Sequence, residues 1–381
     1  MIPVVWGDLP ALSGLCIWGI ILLLPWRPWS TRETLDTDAD TIPGNDLSRI
    51  TALIPARNEA DVIEQTLQSL TSQGQGLRII LIDDQSTDQT AAIVLNTGIP
   101  GLKIVPGQPL PEGWSGKLWA LEQGRMEIKT ELVLLLDADI RLLPGTLRAL
   151  LQKLDRDQLD LVSLMAHLDM QGFWEKLLIP AFVFFFKLLY PFRLSNAPAS
   201  RVAAAAGGCI LVKKAILEKI NAFTSLRKSL IDDCALARRI KDNGGRTWIG
   251  LTHSAISLRP YHNLKEIWDM VARSAFTQLR YSWVLLVLCT LLMTVAFLLP
   301  LIQVLTLKPA GIATLVLMML CYLPTLRYYG IHPRWGCLLP VTGILYLGMT
   351  WASACRHLYR KGSTWKGRNY IINAGDHCNF Q

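Results

Sequence analysis

The sequence predicts an α/β domain with a mostly parallel central sheet, joined to N- and C-terminal transmembrane helices. Three observations predict it. Between residues 49 and 136, apolar runs of strand length alternate with segments of helical spacing. Several of these runs end in Pro or Asp, at the strand ends where an open α/β sheet holds its ligand. Four longer stretches, outside this region, carry no charge at all: Leu9 to Trp26, Val284 to Leu307, Pro309 to Leu326 and Gly336 to Cys355. Each is near the ~20 residues that cross a bilayer core.

Composition agrees. The chain has 381 residues, of which 51% are hydrophobic and 18% charged. That is below the roughly 25% charged of a soluble domain and excludes a disordered chain. Net charge is +8. We read the excess as the Lys/Arg of cytoplasmic loops beside membrane spans, so a membrane partner is expected and a nucleic-acid partner is not. The eight cysteines form no Cys-x-x-Cys or Cys/His grouping, which disfavours a zinc site or a disulfide scaffold.

The first apolar stretch has no basic residue before it, so it reads as an uncleaved anchor. Residues 1–30 are thus an N-terminal anchor, and the polar residues 31–48 a linker. Strands are expected at Ile50 to Ile54, Leu77 to Ile82, Leu102 to Val105 and Leu132 to Leu136, and helices at Glu59 to Leu70, Asp88 to Leu95 and Lys117 to Ile128. Phe173 to Phe192 is apolar but holds Glu175, Lys176, Pro180 and Lys187, which points to an interfacial helix; a buried core helix is the competing reading. The domain then runs from 49 to 283, and residues 284–356 form the C-terminal transmembrane region. Arg356, Arg360, Lys361, Lys366 and Arg368 argue for a basic cytoplasmic tail over 357–381. Three spans would place that tail outside, so Pro309 to Leu326, the shortest of these three, is expected to be re-entrant or interfacial.

No Gly-x-Gly-x-x-Gly follows the first strand, and no Walker-type loop is present. Chemistry is instead carried by acids. Asp137-Ala138-Asp139 closes a strand of five apolar residues, and carboxylates at i and i+2 share one side of an extended chain. Hard oxygen ligands suit Mg²⁺ or Mn²⁺ held together with substrate phosphates; an exposed turn is the bland alternative. Asp83-Asp84 ends another strand, and one of the two is expected to accept hydrogen bonds from a base or ribose; Ser86, Thr87 or Asp88 caps the next helix, and Asp88 is expected to be mostly structural. Asp232-Asp233 opens a helix. There it either complements the dipole or supplies a general base toward an acceptor hydroxyl. Asn263 to Glu266 reads as a capping box opening a helix to Trp283. On that helix Arg273 and Arg280, one heptad apart, share a face and either clamp a diphosphate or anchor at the interface. The small residues Ala203 to Gly208 allow close substrate approach or tight packing.

In this order, five motifs resemble the family-2 glycosyltransferases, which are inverting and have the GT-A fold. They are Ile54-Pro55-Ala56-Arg57-Asn58-Glu59, Asp83-Asp84-Gln85-Ser86-Thr87-Asp88, Gly116-Lys117-Leu118-Trp119-Ala120-Leu121, Asp137-Ala138-Asp139 and Ile231-Asp232-Asp233. Within the family, Leu164 to Phe192, Ala203 to Gly208 and Thr364 to Arg368 look most like the bacterial hopene-associated glycosyltransferases, and the chain is also similar to ceramide glucosyltransferases. The resemblance implies that Pro55, Ala56, Arg57, Glu59 and Asp83 or Asp84 hold uracil and ribose. Lys117 would lie near the nucleotide, Asp137 would contact the nucleotide-sugar, and Asp139 the metal. Asp233 would be the base, paired with Asp232. Trp365 and Arg368 would return near the active site. The family's Gln-x-x-Arg-Trp motif is altered: aligning its Arg to Arg280 leaves Thr277 and Tyr281 at the other positions, which argues against processivity.

The sequence reading is a multi-pass protein of the bacterial inner membrane with a cytoplasmic catalytic domain. It would move a sugar from a UDP-sugar donor to a hydroxyl of a lipid acceptor, hopanoid-related, with Mg²⁺ or Mn²⁺. A polyprenyl-phosphate acceptor is the rival within the class. A non-catalytic scaffold or sensor is the rival outside it, and the intact Asp139 and Asp233 argue against that.

Overall fold

The structure is a computed structural model. It describes residues 9–37, 46–227, 229, 231–359, 363–365 and 368–370, with backbone alone for 9–11, 363–365 and 368–370. In chain order the elements begin with α1 (Leu9–Leu23), β1 (Ile50–Ala56), α2 (Ile63–Thr71), β2 (Arg78–Asp83), α3 (Thr90–Asn96), β3 (Leu102–Pro106), α4 (Gly116–Arg125) and β4 (Leu132–Leu136). There follow β5 (Ile140–Leu142), α5 (Thr146–Arg156), β6 (Leu161–Leu168), α6 (Phe173–Leu189), α7 (Phe192–Asn196), β7 (Cys209–Lys213), α8 (Lys214–Lys219), α9 (Asp232–Asp242) and β8 (Thr247–Ser257). The last are α10 (Leu264–Ala272), α11 (Ala275–Gln278), α12 (Trp283–Met293), α13 (Leu299–Leu305), α14 (Pro309–Tyr328), α15 (Leu339–Leu358), β9 (Ser363–Trp365) and β10 (Arg368–Tyr370). Contacts divide the chain into a sheet unit, mainly 33–169 and 194–260, and a helical unit built from α1, 170–193 and 261–359.

The sheet has eight strands in the order β3-β2-β1-β4-β7-β6-β8-β5. The half expected from the sequence, β3-β2-β1-β4, is parallel. The other half is mixed: β7 runs antiparallel to both β4 and β6, while β6 and β8 are parallel. β1 and β4 are buried at every position, as a central strand covered on both faces must be. Their side chains alternate between two apolar layers. Ala52, Ile54, Leu132 and Leu134 join α2, α3 and α5 on one face. Leu53, Val133 and Leu135 join α4 and α9 on the other. Because β1, β2 and β4 are parallel, their carboxyl ends share one edge. Antiparallel β7 starts there too, with Cys209 opposite Leu136.

α4 lies close against the sheet because Gly124 has no side chain. A Cβ there would collide with Leu53 and Ile82. Gly124→Leu should therefore lift the helix that carries Lys117 and cost about 1–3 kcal/mol, read as a lower urea midpoint.

Five expectations are corrected. First, part of the expected linker is docked. Leu35 donates to Leu251 O at 3.0 Å, and Leu251 donates to Glu33 O at 2.8 Å. Asp36 also accepts from Thr252 Oγ1 at 3.0 Å and from the His253 amide at 2.5 Å.

Second, the described part of α1 is short, 15 residues, about 22 Å of helix. It is a packed member of the helical unit: Trp18 is fully buried and donates to Ala296 O at 2.9 Å.

Third, α6 packs as a core helix of that unit, the reading that competed with an interfacial helix. Phe184 is fully buried, stacked 6.3 Å from Trp18 and 5.2 Å from Tyr322. The Tyr346 hydroxyl donates to Leu178 O at 2.9 Å. Glu175 caps the helix start, accepting from the Gly172 amide at 2.8 Å.

Fourth, Pro309–Tyr328 is a continuous helix of 20 residues, with Pro324 inside it. Among the described residues it is one of three helices, with Trp283–Leu305 and Pro333–Leu358, long and apolar enough to cross a membrane. Length gives no ground for calling it re-entrant.

Fifth, the helix expected from Asn263 to Trp283 is broken. Its start holds as expected, with Asn263 Oδ1 accepting from the Glu266 amide at 3.1 Å. The helix then stops at Ala272, and Arg280 and Tyr281 adopt φ of +52° and +55°. Arg273 and Arg280 are therefore not on one helical face.

Candidate active site

The shared strand edge gathers most of the predicted residues. The loop after β1 and the loop after β2 are laced together. The Asp84 amide donates to Ala56 O at 2.8 Å, and Arg57 Nη1 donates to Asp84 O at 2.5 Å and to Gln85 O at 3.0 Å. Asn58 and Gln85 take the left-handed conformation, φ +53° and +56°, which turns both loops sharply. Asp88 is structural, as expected. It accepts from the Thr90 hydroxyl at 2.5 Å, the Thr90 amide at 3.0 Å and the Ala60 amide at 3.1 Å, and these bonds outweigh the desolvation that would raise its pKa, holding it below the usual carboxylate range. Glu59 anchors through its amide, which donates to Thr90 Oγ1 at 2.8 Å.

Of the acidic pair, Asp84 is fully buried and Asp83 half-buried. Asp83 is the carboxylate a ligand can reach. Gly107 keeps it in place: its amide donates to Asp83 O at 2.8 Å, and a Cβ there would stand 2.7 Å from that oxygen. Pro55 and Ala56 are buried, with Pro55 lining a cleft that also holds Lys117, Asp137, Gly207, Asp232 and Asp233.

That cleft is the electrostatic centre. Lys117, the second residue of α4, places Nζ 2.6 Å from Asp137 Oδ1. The Ser115 hydroxyl caps this helix, accepting from the Leu118 amide at 3.4 Å. Burial alone would lower the Lys117 pKa, but Asp137, Asp232 and Asp233 together hold it well above the usual lysine range. Asp233 is fixed by two backbone amides: Gly207 donates to Oδ2 at 2.8 Å and Cys234 to Oδ1 at 2.7 Å. Burial first, and then the charge of Asp232, push its carboxyl up to about 6.

The small-residue run serves tight packing, the second of its two expected uses. Ala203, Ala204 and Ala205 are buried core. Gly207 packs closely, since a Cβ there would stand 3.2 Å from Lys117 Nζ and 3.3 Å from Asp233 Oδ2. The Asp137 amide donates to Gly208 O at 3.0 Å, binding the end of β4 to this run.

Asp139 is half-buried beyond the buried Ala138, and its carbonyl accepts from the Leu258 amide at 2.7 Å. Among the described residues no three His, Cys, Asp or Glu side chains are placed to hold a metal ion. The donor set nevertheless fits an ion of the Mg²⁺ class, which takes one or two protein carboxylates and completes its shell with water and phosphate. Burial, and then the neighbouring Asp139 charge, push Asp137 upward against the pull of Lys117. A divalent cation relieves that crowding.

Arg273 and Arg280 belong to the helical unit. Trp365 and Arg368 fall in β9 and β10, and their side chains lie outside the described residues. Sequence reasoning missed two supports. Gly107 had no motif to mark it. Lys241 reaches the carbonyls of Ser195, Ala197, Ser200 and Val202 at 2.8, 3.0, 3.1 and 2.7 Å, fixing the loop that leads into the Ala203–Gly208 run.

Residues 51–221 match the family model described as glycosyl transferase family 2. The chain carries a family 2 glycosyltransferase domain. Among curated relatives of this glycosyltransferase domain, a 4,4'-diaponeurosporenoate glycosyltransferase of Staphylococcus haemolyticus is 28% identical over 141 residues, 37% of each chain. A probable glycosyltransferase of Bacillus subtilis is 34% identical over 99 residues, 25% of this chain and 23% of the relative. The chain thus spans well under half the length of these relatives. Among solved structures, a mannosyltransferase of Pyrobaculum calidifontis, in complex with GDP-Man and Mn²⁺, is 18% identical. It covers 92% of this chain and 99% of its own, with a TM-score of 0.55. That likeness carries the fold, and the glycosyltransferase domain has the GT-A-like mixed sheet.

Proposed function

We propose that this protein is a membrane-bound inverting glycosyltransferase that moves a sugar from a UDP-sugar to a hydroxyl of a lipid, with a hopanoid-related lipid as the leading acceptor. The observation that carries the reading is the acidic cluster at the strand edge, Asp137, Asp232 and Asp233 around Lys117. Three apolar helices of spanning length support the membrane. A relative named for 4,4'-diaponeurosporenoate supports an apolar acceptor.

In this reading the nucleotide lies over the Pro55–Glu59 loop, with Asp83 accepting from its base or ribose. Asp139, with Asp137, would hold Mg²⁺ or Mn²⁺, which supplies positive charge to the departing diphosphate. Lys117 adds a second positive charge to the same leaving group. Asp233 takes the proton of the acceptor hydroxyl. The oxygen then bonds to the anomeric carbon as the bond to the diphosphate breaks, its electron pair leaving on UDP. Two amide bonds hold Asp233 in place, so the base is pre-oriented. Single displacement inverts the anomeric centre, by the logic of inverting hydrolases. The domain faces the cytoplasm, where nucleotide-sugars are made, in a bacterial inner membrane.

The donor half is tested by UDP binding to the full-length protein in detergent. UDP should bind more tightly with Mn²⁺ or Mg²⁺ than without, and Asp139→Ala should abolish that difference. Binding indifferent to both metals and to the substitution would remove the metal-assisted donor site.

A further inference from the structure

We infer that the Lys117 ammonium is a resident counter-ion of the acidic cleft, and that it keeps a divalent cation from binding there until a nucleotide diphosphate arrives. The inference rests on the nucleotide-sugar reading above and adds an order of binding to it.

Two independent observations carry it. The first is geometric. Lys117 Nζ sits 2.6 Å from Asp137 Oδ1, with only 21% of its side chain exposed. Its freedom to withdraw is limited, because α4 is capped at Ser115 and seated on the sheet through Gly124. Gly207 closes the other side: its Cβ position abuts both Lys117 Nζ and Asp233 Oδ2. The ammonium therefore already neutralises part of the charge that would attract a metal ion. Two like charges in a partly buried cleft repel far more strongly than in water.

The second observation is the donor set. Among the described residues no three ligating side chains are placed to hold a metal. A cation entering alone would meet a repelling ammonium and too few oxygens. A diphosphate corrects both deficits. Its negative charge offsets that of the ammonium, and its oxygens complete the shell of an Mg²⁺-class ion. Lys117 is then a positioning residue that couples metal binding to nucleotide binding.

The experiment is a Mn²⁺ titration of full-length protein in detergent, followed by the electron paramagnetic resonance signal of free Mn²⁺, with and without UDP. In the wild-type protein, UDP should tighten Mn²⁺ binding at least about tenfold. Lys117→Met should bind Mn²⁺ alone at least about tenfold more tightly than wild type, and UDP should add little. Lys117→Arg keeps the charge and should behave as wild type. A Lys117→Met protein that binds Mn²⁺ no more tightly than wild type would overturn the inference while leaving the donor site standing. If Lys117→Met does not fold, the wild-type pair of titrations decides: equal Mn²⁺ affinity with and without UDP also overturns it. Wild-type protein that binds neither UDP nor Mn²⁺ together would sink the nucleotide-sugar reading itself, and this inference with it.

Discussion

Asp233→Asn should slow sugar transfer by about 100-fold to 10,000-fold, the range for loss of a general base, while leaving UDP affinity unchanged. The amide preserves the shape of the side chain and retains an oxygen for one of the bonds from Gly207 and Cys234. What it loses is the capacity to take a proton. The acceptor decides how large the effect is. A lipid hydroxyl must be deprotonated as it attacks. A polyprenyl phosphate is already ionised, and Asp233→Asn would then be nearly silent.

The pH profile gives a second handle on the same residue. Its carboxyl is raised to about 6, first by burial and then by Asp232. The base acts when ionised, so the rate should fall about tenfold per pH unit below that value and level off above it. Stability moves in the opposite sense. The folded state holds this proton more tightly than the unfolded chain does. The group therefore stabilises the fold at acidic pH, and that contribution is lost as pH rises through about 4 to 6. Asp233→Asn should remove both dependences together.

Gly207→Val should reduce transfer by about 100-fold, the order expected when reacting groups are misplaced by about 1 Å. A Cβ at this position already stands 3.2 Å from Lys117 Nζ and 3.3 Å from Asp233 Oδ2. Valine adds two further carbons to this already tight position, so the Lys117 ammonium or the Asp233 carboxylate is expected to shift. Gly19→Ala is the matched control, because nothing lies within 4 Å of its added carbon. Equal kcat for Gly207→Val and Gly19→Ala would show that the close approach has no catalytic consequence.

How much of this was legible in the sequence follows from where the information sits. β1, β2 and β4 were legible because central strands must be apolar at successive positions, and each ends in a residue that breaks the run. The acids at those ends were legible for the same reason. The antiparallel β7 was not, since pairing direction leaves no mark in a run such as Cys-Ile-Leu-Val. Which member of Asp83-Asp84 faces the ligand depends on burial, which adjacent identical residues cannot reveal. The break after Ala272 was illegible because neither glycine nor proline marks it: Ser274, at φ −127°, interrupts the helix there, and a second turn follows at Arg280 and Tyr281 at positive φ. The burial of α6 depended on partners from α1, α14 and α15 far away in the chain. That burial has a practical consequence: polar substitution at Phe184 would disrupt the core of the helical unit, and so cannot report on acceptor access.

The central claim is transfer of a sugar from UDP to a lipid hydroxyl, and the most direct measurement follows the sugar. Membranes containing the full-length protein would be incubated with a panel of radiolabelled UDP-hexoses and Mn²⁺ or Mg²⁺, then extracted with organic solvent. The account predicts label in the organic phase for a member of the panel, stable to mild acid as a glycoside is, and absent with Asp233→Asn. Organic-phase label that mild acid releases and Asp233→Asn leaves intact would instead identify a phosphate acceptor, and label found only in water-soluble product would contradict a lipid acceptor altogether.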